Sequence, residues 1–311
     1  MVKRQVIIIG AGPAGITAAI QLSRGGLRPL LLEKSHIGGL IKSANLVENY
    51  PGFPKGISGV KMAELLKRHL KVHRVDIDFE EAISVDFKDD AFIIKTNNED
   101  YNSDYLIIAP GTKPKEFSVA GWDETYGKCA FKEIYPLLDK QGKHIAIIGG
   151  GDAAFDYALN LAKKNQVTIN YRADKNSCLP LLQQRAEVNP RILCRANIVL
   201  QRIVSLNDSM ELHWQTGKLA FSEKVDYLLT AVGRIPNLDF LGENLKNLSS
   251  ELERQNRLHV IGDAKNGNFR QMSIAAGEGM KAAMKILNKI VSLSSLKYNL
   301  TDVRVRDAPD Y

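Results

Sequence analysis

Two apolar segments of this 311-residue chain each run directly into a glycine-rich loop. The first, VIIIGAGPAG, covers residues 6–15, and the second, HIAIIGGGDAAF, covers residues 144–155. In both, the apolar run predicts a strand and the residues after the loop predict a helix. A strand, a tight glycine turn and a helix begin a βαβ unit, whose helix N-terminus can bind a pyrophosphate. The sequence therefore predicts an α/β fold with two dinucleotide-binding units.

The first loop has the pattern G-x-G-x-x-G, formed by Gly10, Gly12 and Gly15. We expect Gly10 to make the tight turn, Gly12 to let a pyrophosphate approach, and Gly15 to let the helix pack closely. Glu33 lies 23 residues after Gly10, where a carboxylate can accept hydrogen bonds from ribose hydroxyls. This combination suits FAD or NAD. The predicted contacts are Gly10, Gly12, Pro13, Ala14, Gly15, Glu33 and Lys34.

The second loop has the pattern G-x-G-x-x-A, formed by Gly149, Gly151 and Ala154. Arg172 lies 23 residues after Gly149, so the spacing predicts that it occupies the position of Glu33 in the first unit. A guanidinium there can bind a ribose 2′-phosphate, which favours NADPH and leaves NADH as an alternative. A surface arginine at a strand end is the other interpretation. The predicted contacts are Gly149, Gly151, Asp152, Ala153, Ala154 and Arg172.

Two dinucleotide sites in one chain indicate that one cofactor is held permanently and the other visits to deliver a hydride. The resident cofactor is expected to be a flavin, because a flavin accepts two electrons and releases them singly or in pairs. Hydride transfer depends on proximity and needs no acid–base side chain, so the flavin itself is expected to do the chemistry and the sequence identifies no catalytic residue.

Four further segments of the sequence resemble the motifs of a known family. They are SHIGGLIKSANLVENYPGFPKGISG, YLIIAPGTKPK, YLLTAVGRIPN and LHVIGDAKNGNFRQMSIAAGEG. In sequence and order they resemble the motifs of low-molecular-weight thioredoxin reductases and of the wider flavoproteins with two dinucleotide domains. Leu40 stands where that family usually has glutamine, which implies that one side-chain contact to the flavin is missing.

The resemblance implies two Rossmann-like domains and a homodimer. The FAD domain comprises residues 1–116 and 242–311, the NAD(P)H domain comprises residues 117–241, and the hinges of a domain rotation lie near 113–120 and 237–246. Asp263 would bind flavin ribityl hydroxyls, and a helix from about Arg270 would stabilise the reduced ring with its N-terminus. The FAD contacts implied are Gly39, Leu40, Asn49, Ala109, Gly111, Asp263, Arg270, Gln271 and Met272; those to NADPH are Gly233 and Arg234.

The chain has three cysteines, Cys129, Cys178 and Cys194, and none forms a Cys-x-x-Cys pair. In the thioredoxin reductase family such a pair precedes the second glycine loop and relays electrons from the flavin. Matching the loops places that pair near Lys132 and Tyr135, neither of which is a thiol. We therefore expect electrons to leave the flavin directly for a carrier such as ferredoxin or flavodoxin. In lacking the pair, the chain is similar to thioredoxin reductase-like ferredoxin–NADP reductases.

Three alternatives stay open at this stage. The first is a flavin-dependent oxidase or reductase of a small dithiol or disulfide. The second is a flavoprotein reduced by its carrier without NAD(P)H, and the third is a non-catalytic flavin redox sensor. The intact second glycine loop argues against a sensor, because a sensor has little need of a hydride donor.

The formal charge of +7 suits an acidic partner, although the basic patch at Lys67–Arg74 also fits a solvated helix face. No nucleic-acid motif accompanies this charge, and we expect no nucleic-acid partner. His69 and His73 have zinc-ligand spacing without a third ligand, so no metal site is predicted. The sequence shows no signal peptide or spanning segment, which predicts a cytoplasmic protein without membrane insertion. The tail that ends at Tyr311 is expected to fray, to contact a second subunit or to cover the flavin.

Overall fold

The computed structural model describes residues 1–295, which form seventeen strands and seven α-helices. The strands are β1 (Val2–Ile9), β2 (Leu30–Leu32), β3 (Asp76–Asp78), β4 (Ala82–Lys88), β5 (Ala91–Thr96), β6 (Asp100–Ile108), β7 (Thr112–Pro114), β8 (Ala130–Phe131), β9 (His144–Ile148), β10 (Gln166–Asn170), β11 (Ile192–Arg195), β12 (Val199–Ser205), β13 (Met210–Thr216), β14 (Leu219–Val225), β15 (Tyr227–Thr230), β16 (Arg234–Pro236) and β17 (Leu258–Val260). The helices are α1 (Pro13–Arg24), α2 (Gly59–Val72), α3 (Trp122–Thr125), α4 (Asp152–Leu161), α5 (Pro180–Glu187), α6 (Glu243–Arg254) and α7 (Met272–Ser295).

The first sheet has seven strands in the order β3-β2-β1-β6-β5-β4, with β17 also paired to β6. Strands β3, β2, β1, β6 and β17 run parallel, whereas β4, β5 and β6 form an antiparallel meander. Strand β1 is apolar along its second half because both of its faces are covered. Val6 and Ile8 pack in the cluster that includes α1 and α7, and Ile7 and Ile9 pack in the cluster that includes α6.

The second sheet has five parallel strands in the order β11-β10-β9-β15-β8. Helices α4 and α5 contribute to the same hydrophobic cluster as its central strands. A separate antiparallel sheet of β12, β13 and β14 packs beside it around Trp122 and Trp214. The predicted α/β class with two Rossmann-like units is therefore confirmed.

The chain crosses between the two sheets at β7 and β16, which pair with each other in antiparallel fashion. We call the part built on the first sheet the first domain, and the part between these crossing strands the second domain. After β16 the chain returns at once, since Leu238 and Phe240 pack in the core of the first sheet and Val85 N donates to Phe240 O at 2.8 Å. The domain limits predicted from the sequence stay a prediction.

The two domains share little apolar surface. None of the five hydrophobic clusters among the described residues combines side chains of both domains. Interfaces that are small and polar allow domains to move relative to each other.

The last described element of the chain is helix α7. Helix α7 begins at Met272, two residues later than the predicted start at Arg270. The tail and Tyr311 lie outside the described residues. Within residues 1–295, no helix has both the length and the apolar character that a membrane crossing requires.

Candidate cofactor-binding site

The first glycine loop is a tight connection between β1 and α1. Gly10 N donates to Leu32 O at 2.8 Å, and Gly10 has a φ of +100°, which favours glycine. A Cβ atom on Gly15 would lie 1.9 Å from Gly10 O, so α1 can approach the loop only with glycine at this position. A Cβ atom on Gly12 would meet nothing within 4 Å, which leaves open space at the helix N-terminus. This geometry fits the roles predicted for the three glycines.

Glu33 is buried directly after β2, with only 8% of its surface exposed. Its Oε2 accepts from Ala11 N at 2.7 Å, and its Oε1 accepts from Ser35 N at 2.9 Å. The carboxylate therefore fixes the loop backbone and keeps lone pairs for a ribose. Lys34, the neighbouring predicted contact, is exposed and pairs with Glu81 at 3.5 Å.

A second loop of the first domain packs against the glycine loop. Gly38 N donates to Ala11 O at 2.8 Å, and a Cβ atom on Gly39 would lie 3.3 Å from Gly12 Cα. Leu40 is half-buried in the short 3₁₀ helix that follows. The structure thus brings the first glycine loop and the predicted flavin residues at 39–40 together.

Residues from the last part of the chain complete this site. Asn49 Nδ2 donates to Gln271 Oε1 at 2.7 Å, and Met272 packs against Val47 and Met62. Ala109 N donates to Ile9 O at 2.8 Å, which places the end of β6 beside the first loop. The structure therefore collects the following predicted residues around one site: Gly10, Gly12, Gly39, Asn49, Ala109, Gln271 and Met272. Gly111 follows two residues after Ala109, and its carbonyl accepts from Asn237 N at 3.1 Å.

Asp263 lies in the turn after β17 and is half-buried. Burial raises the pKa of its carboxyl above the ordinary value, while Arg270 and Arg234 nearby oppose that shift. Within the described residues its side chain makes no hydrogen bond, and the buried Nε of Arg270 also has no partner. A free acceptor and a free donor beside the first loop fit a cofactor that carries both hydroxyls and carbonyls, as FAD does.

The second glycine loop repeats the geometry of the first, with one difference. Gly149 N donates to Asn170 O at 3.0 Å, just as Gly10 N donates to Leu32 O. The residue after Asn170 is Tyr171, so Tyr171 is the structural counterpart of Glu33. The prediction that Arg172 occupies that position is wrong by one residue, because the second unit is one residue shorter between loop and strand end.

Arg172 follows Tyr171 and is exposed. Tyr171 packs on the loop, since a Cβ atom on Gly150 would lie 3.1 Å from Tyr171 Cβ. Asp152 Oδ1 accepts from Leu179 N at 2.7 Å, which ties the segment after β10 to the start of α4. Arg172 therefore lies at the edge of the second loop, and its contact with a 2′-phosphate stays a prediction.

Arg234 has a structural role that the sequence did not indicate. Its guanidinium donates to Thr112 Oγ1 at 2.9 Å, to Thr112 O at 2.7 Å and to Glu133 Oε1 at 2.9 Å. These bonds join the two crossing strands and hold them to the second domain. Gly233 lies beside Lys115, because a Cβ atom built on the glycine would be 3.4 Å from Lys115 Cδ. Contact of Gly233 and Arg234 with NADPH stays a prediction.

Comparisons with known proteins agree with this geometry. The model of the family described as pyridine nucleotide-disulphide oxidoreductase matches residues 4–267. The chain belongs to this family. A thioredoxin reductase of Chlamydia pneumoniae is 32% identical, over 91% of this chain and 98% of the relative.

Solved structures show the same relationship. Thioredoxin reductase of T. acidophilum has a TM-score of 0.82 at 28% identity, over 94% of this chain and 100% of that chain. The Lactococcus lactis thioredoxin reductase in its FR conformation has a TM-score of 0.82 at 25% identity, over 93% and 99%. This member of the pyridine nucleotide-disulphide oxidoreductase family is thus an FAD-dependent, thioredoxin reductase-like oxidoreductase that uses FAD and NADPH.

The three cysteines of this family member are free thiols. Cys129 precedes β8 at one edge of the second sheet, and Cys194 lies in β11 at the other edge. Four strand spacings of roughly 4.8 Å separate these edges by about 19 Å, too far for a disulfide. Cys178 packs in the same cluster as Cys194, whereas Cys129 packs in another. Burial raises the pKa of all three thiols, that of Cys178 to about 11, which makes them weak nucleophiles.

Sequence reasoning missed the contacts between the domains. Among the described residues, the bonds from Tyr135, Asp156 and Arg185 of the second domain to the first domain fall on residues 35–48, which we call the docking loop. Tyr135 donates to Gly39 O at 3.1 Å, and its hydroxyl lies 3.0 Å from His36 Nε2. Asp156 Oδ2 accepts from Asn45 N at 2.9 Å.

A third contact is the ion pair between Arg185 and Glu48, with bonds of 2.6 and 2.9 Å. The guanidinium beside it lowers the pKa of the Glu48 carboxyl. No local sequence pattern predicts any of these three contacts, because each joins residues about a hundred or more positions apart.

Proposed function

We propose that this chain is an NAD(P)H-dependent FAD oxidoreductase that passes electrons from the flavin directly to an acidic carrier protein, such as ferredoxin or flavodoxin. The observation that carries the proposal is the arrangement of the thiols. Cys129 is about 19 Å of sheet width away from Cys194, and Cys178 and Cys194 share one hydrophobic cluster as free thiols. Burial raises the pKa of each cysteine. A relay through sulfur needs an attacking thiolate and a second sulfur within bonding reach.

The segment that precedes the second glycine loop offers other chemistry. Lys132 pairs with Glu116 at 2.6 Å, and Tyr135 binds the docking loop. Both side chains are engaged in contacts that hold structure and neither can exchange a disulfide. Of the two positions that match the family's thiol pair, Tyr135 therefore serves the contact between the domains, and Lys132 binds the segment that follows β7.

The residues of the two sites have separable tasks. The first glycine loop, Glu33 and Asp263 would hold FAD, which accepts a hydride and returns electrons singly or in pairs. The second loop and Arg172 would bind and orient NADPH. The docking contacts bring α4, which begins at that second loop, onto the loop that carries Gly39. Proximity of the two cofactors is the main requirement of hydride transfer.

The charge of the protein supports an acidic partner. The net charge is +7, and an excess of positive charge raises the rate of encounter with an acidic protein. We propose further that the protein is a homodimer, as is typical of the thioredoxin reductases it resembles, and that it works in the cytoplasm.

The test is a triple variant in which Cys129, Cys178 and Cys194 are all replaced by serine. Anaerobic stopped-flow mixing with NADPH should bleach the flavin at the wild-type rate, and the variant should reduce ferredoxin or flavodoxin as wild type does. Loss of carrier reduction, with flavin bleaching intact, would show that a thiol carries electrons. Wild-type reduction of thioredoxin that disappears in the triple variant would favour the disulfide reductase alternative.

Two outcomes would point elsewhere. A flavin that NADPH fails to bleach and a reduced carrier does bleach would show that the protein runs without NAD(P)H. A flavoprotein that reduces none of the acceptors tested, but forms a stable complex with a partner, would indicate a sensor.

A further inference from the structure

The contacts between the domains are polar and few. Asp156, Tyr135 and Arg185 of the second domain each bind the docking loop, and none of the hydrophobic clusters of the described residues bridges the domains. Only β7 and β16 connect the domains covalently. Domains joined in this way are expected to separate and dock reversibly.

Of these three residues, Asp156 lies nearest in sequence to the second glycine loop. It is on α4, one turn or about 6 Å after Asp152 at the start of the helix. Its Oδ2 accepts from Asn45 N at 2.9 Å, four residues before the predicted flavin contact Asn49. Docking through Asp156 therefore brings the second glycine loop next to the flavin site.

We propose that Asp156 is a positioning residue that holds the second domain on the docking loop and, because of its negative charge, keeps that hold weak enough to release. The carboxylate supplies the acceptor that a half-buried Asn45 N–H requires. It also loses part of its hydration each time the domains dock, and this loss disfavours the docked state.

The electrostatics of the site give the direction of the effect. Burial raises the pKa of Asp156 from 3.8 to about 6, against the opposing influence of the Asn45 N–H and Lys163, while Asp152 adds to the rise. The ionisable side chains that the docking loop itself carries are His36, Lys42 and Glu48, and Glu48 is paired with Arg185. Docking therefore favours the protonated carboxyl, and the docked state weakens as the pH rises through about 6.

The size of the effect follows from linkage. With a pKa of about 6 when docked and 3.8 when released, the docking equilibrium constant should fall roughly tenfold between pH 5 and pH 8. Asp156→Asn keeps an oxygen acceptor of the same size without the charge. It should therefore stay docked at both pH values.

The experiment is small-angle X-ray scattering of the FAD-bound enzyme at pH 5 and pH 8. Wild type should have a larger radius of gyration at pH 8, Asp156→Asn should be compact at both, and Asp156→Ala, which lacks the acceptor, should be expanded at both. Glu64→Gln is the matched control, because Glu64 is exposed on α2 and its loss changes the net charge equally. It should behave as wild type.

Two results would overturn the proposal. One is a wild-type radius of gyration that equals that of Asp156→Asn at both pH values, and the other is an expanded Asp156→Asn. Both are read without turnover, so they are independent of whether the carrier proposed above is the true acceptor.

A kinetic measurement adds a readout that depends on the proposed function. Asp156→Asn should bleach its flavin with NADPH at least as fast as wild type, but should lower kcat for carrier reduction at pH 8, because release uncovers the flavin site. The KM for NADPH should stay within about twofold. A lower bleaching rate in Asp156→Asn than in wild type would contradict a positioning role through charge.

Discussion

Glu33→Gln is the change that best separates two roles of one side chain. If Glu33 serves only to bind the ribose of FAD, this variant should affect flavin binding and leave the apoprotein unchanged. The structure indicates more, because the two carboxylate oxygens accept from Ala11 N at 2.7 Å and from Ser35 N at 2.9 Å. Glutamine keeps one acceptor oxygen and turns an amide N–H₂ towards the other donor.

The magnitude follows from the bond that is lost. A hydrogen bond to a buried charged group contributes about 1.5–3 kcal/mol, and a buried N–H left without a partner costs a similar amount. Since Glu33 is only 8% exposed, water does not replace the missing acceptor. We expect the free energy of unfolding of the apo first domain to fall by about 2–3 kcal/mol.

The assay is urea unfolding of the apoprotein, followed by far-UV circular dichroism and by tryptophan fluorescence. Both tryptophans, Trp122 and Trp214, lie in the second domain and serve as an internal control. The circular dichroism transition of the first domain should move to lower urea while the fluorescence transition stays. An apoprotein of wild-type stability that binds FAD weakly would refute the backbone role of Glu33.

Three more predictions concern a nucleotide contact, a loop glycine and a buried histidine. Arg172→Ala should raise the KM for NADPH roughly tenfold to a hundredfold and leave NADH unchanged, and an equal loss with both nucleotides in steady-state assays would refute the phosphate contact. Gly15→Ala should cost about 1–3 kcal/mol and lower FAD content, since its Cβ would lie 1.9 Å from Gly10 O, whereas Ala154→Gly should cost only about 0.5–1 kcal/mol in thermal unfolding. Burial lowers the pKa of His259 from 6.5 to about 4, so the stability that its neutral form provides is present above pH 6.5 and lost as the pH falls towards 4. Between pH 7 and pH 4 this residue should lower the free energy of unfolding by about 3 kcal/mol, and His259→Leu should lack that decrease when urea unfolding is measured at both pH values.

Much of the fold could be predicted from the sequence because its main signals are local. The runs before the glycine clusters are apolar and short, and in the structure both β1 and β9 end one residue before the first glycine of their loops. The spacing from Gly10 to Glu33 was sufficient to find a buried carboxylate beside the loop. Local spacing failed for Arg172, since a difference of one residue in the helix and turn before β10 moves Tyr171 into that position.

The contacts between the domains could not be predicted. Asp156 looks like any polar residue on a helix, and Asn45 bonds to it through the backbone, which has no side-chain signature. Arg185 and Glu48 are 137 positions apart. Such pairs depend on how two finished domains meet, and periodicity within one helix or strand contains no information about that.

The two nucleotide units differ in a way that explains why one cofactor should stay and the other should leave. The first loop is fixed by a buried carboxylate, and the segments that carry Gly38 and Gly262 pack against it, so several parts of the first domain would surround a bound dinucleotide. In the second unit Tyr171 replaces that carboxylate and Arg172 beside it is exposed. The contacts to the second loop itself come from its own domain, through Tyr171, Ser177 and Leu179. The first domain contacts α4 and Tyr135 nearby through bonds that are polar and few. Release of the first cofactor should therefore require several segments of the first domain to move, whereas the second unit offers an exposed arginine and a polar domain contact that can open.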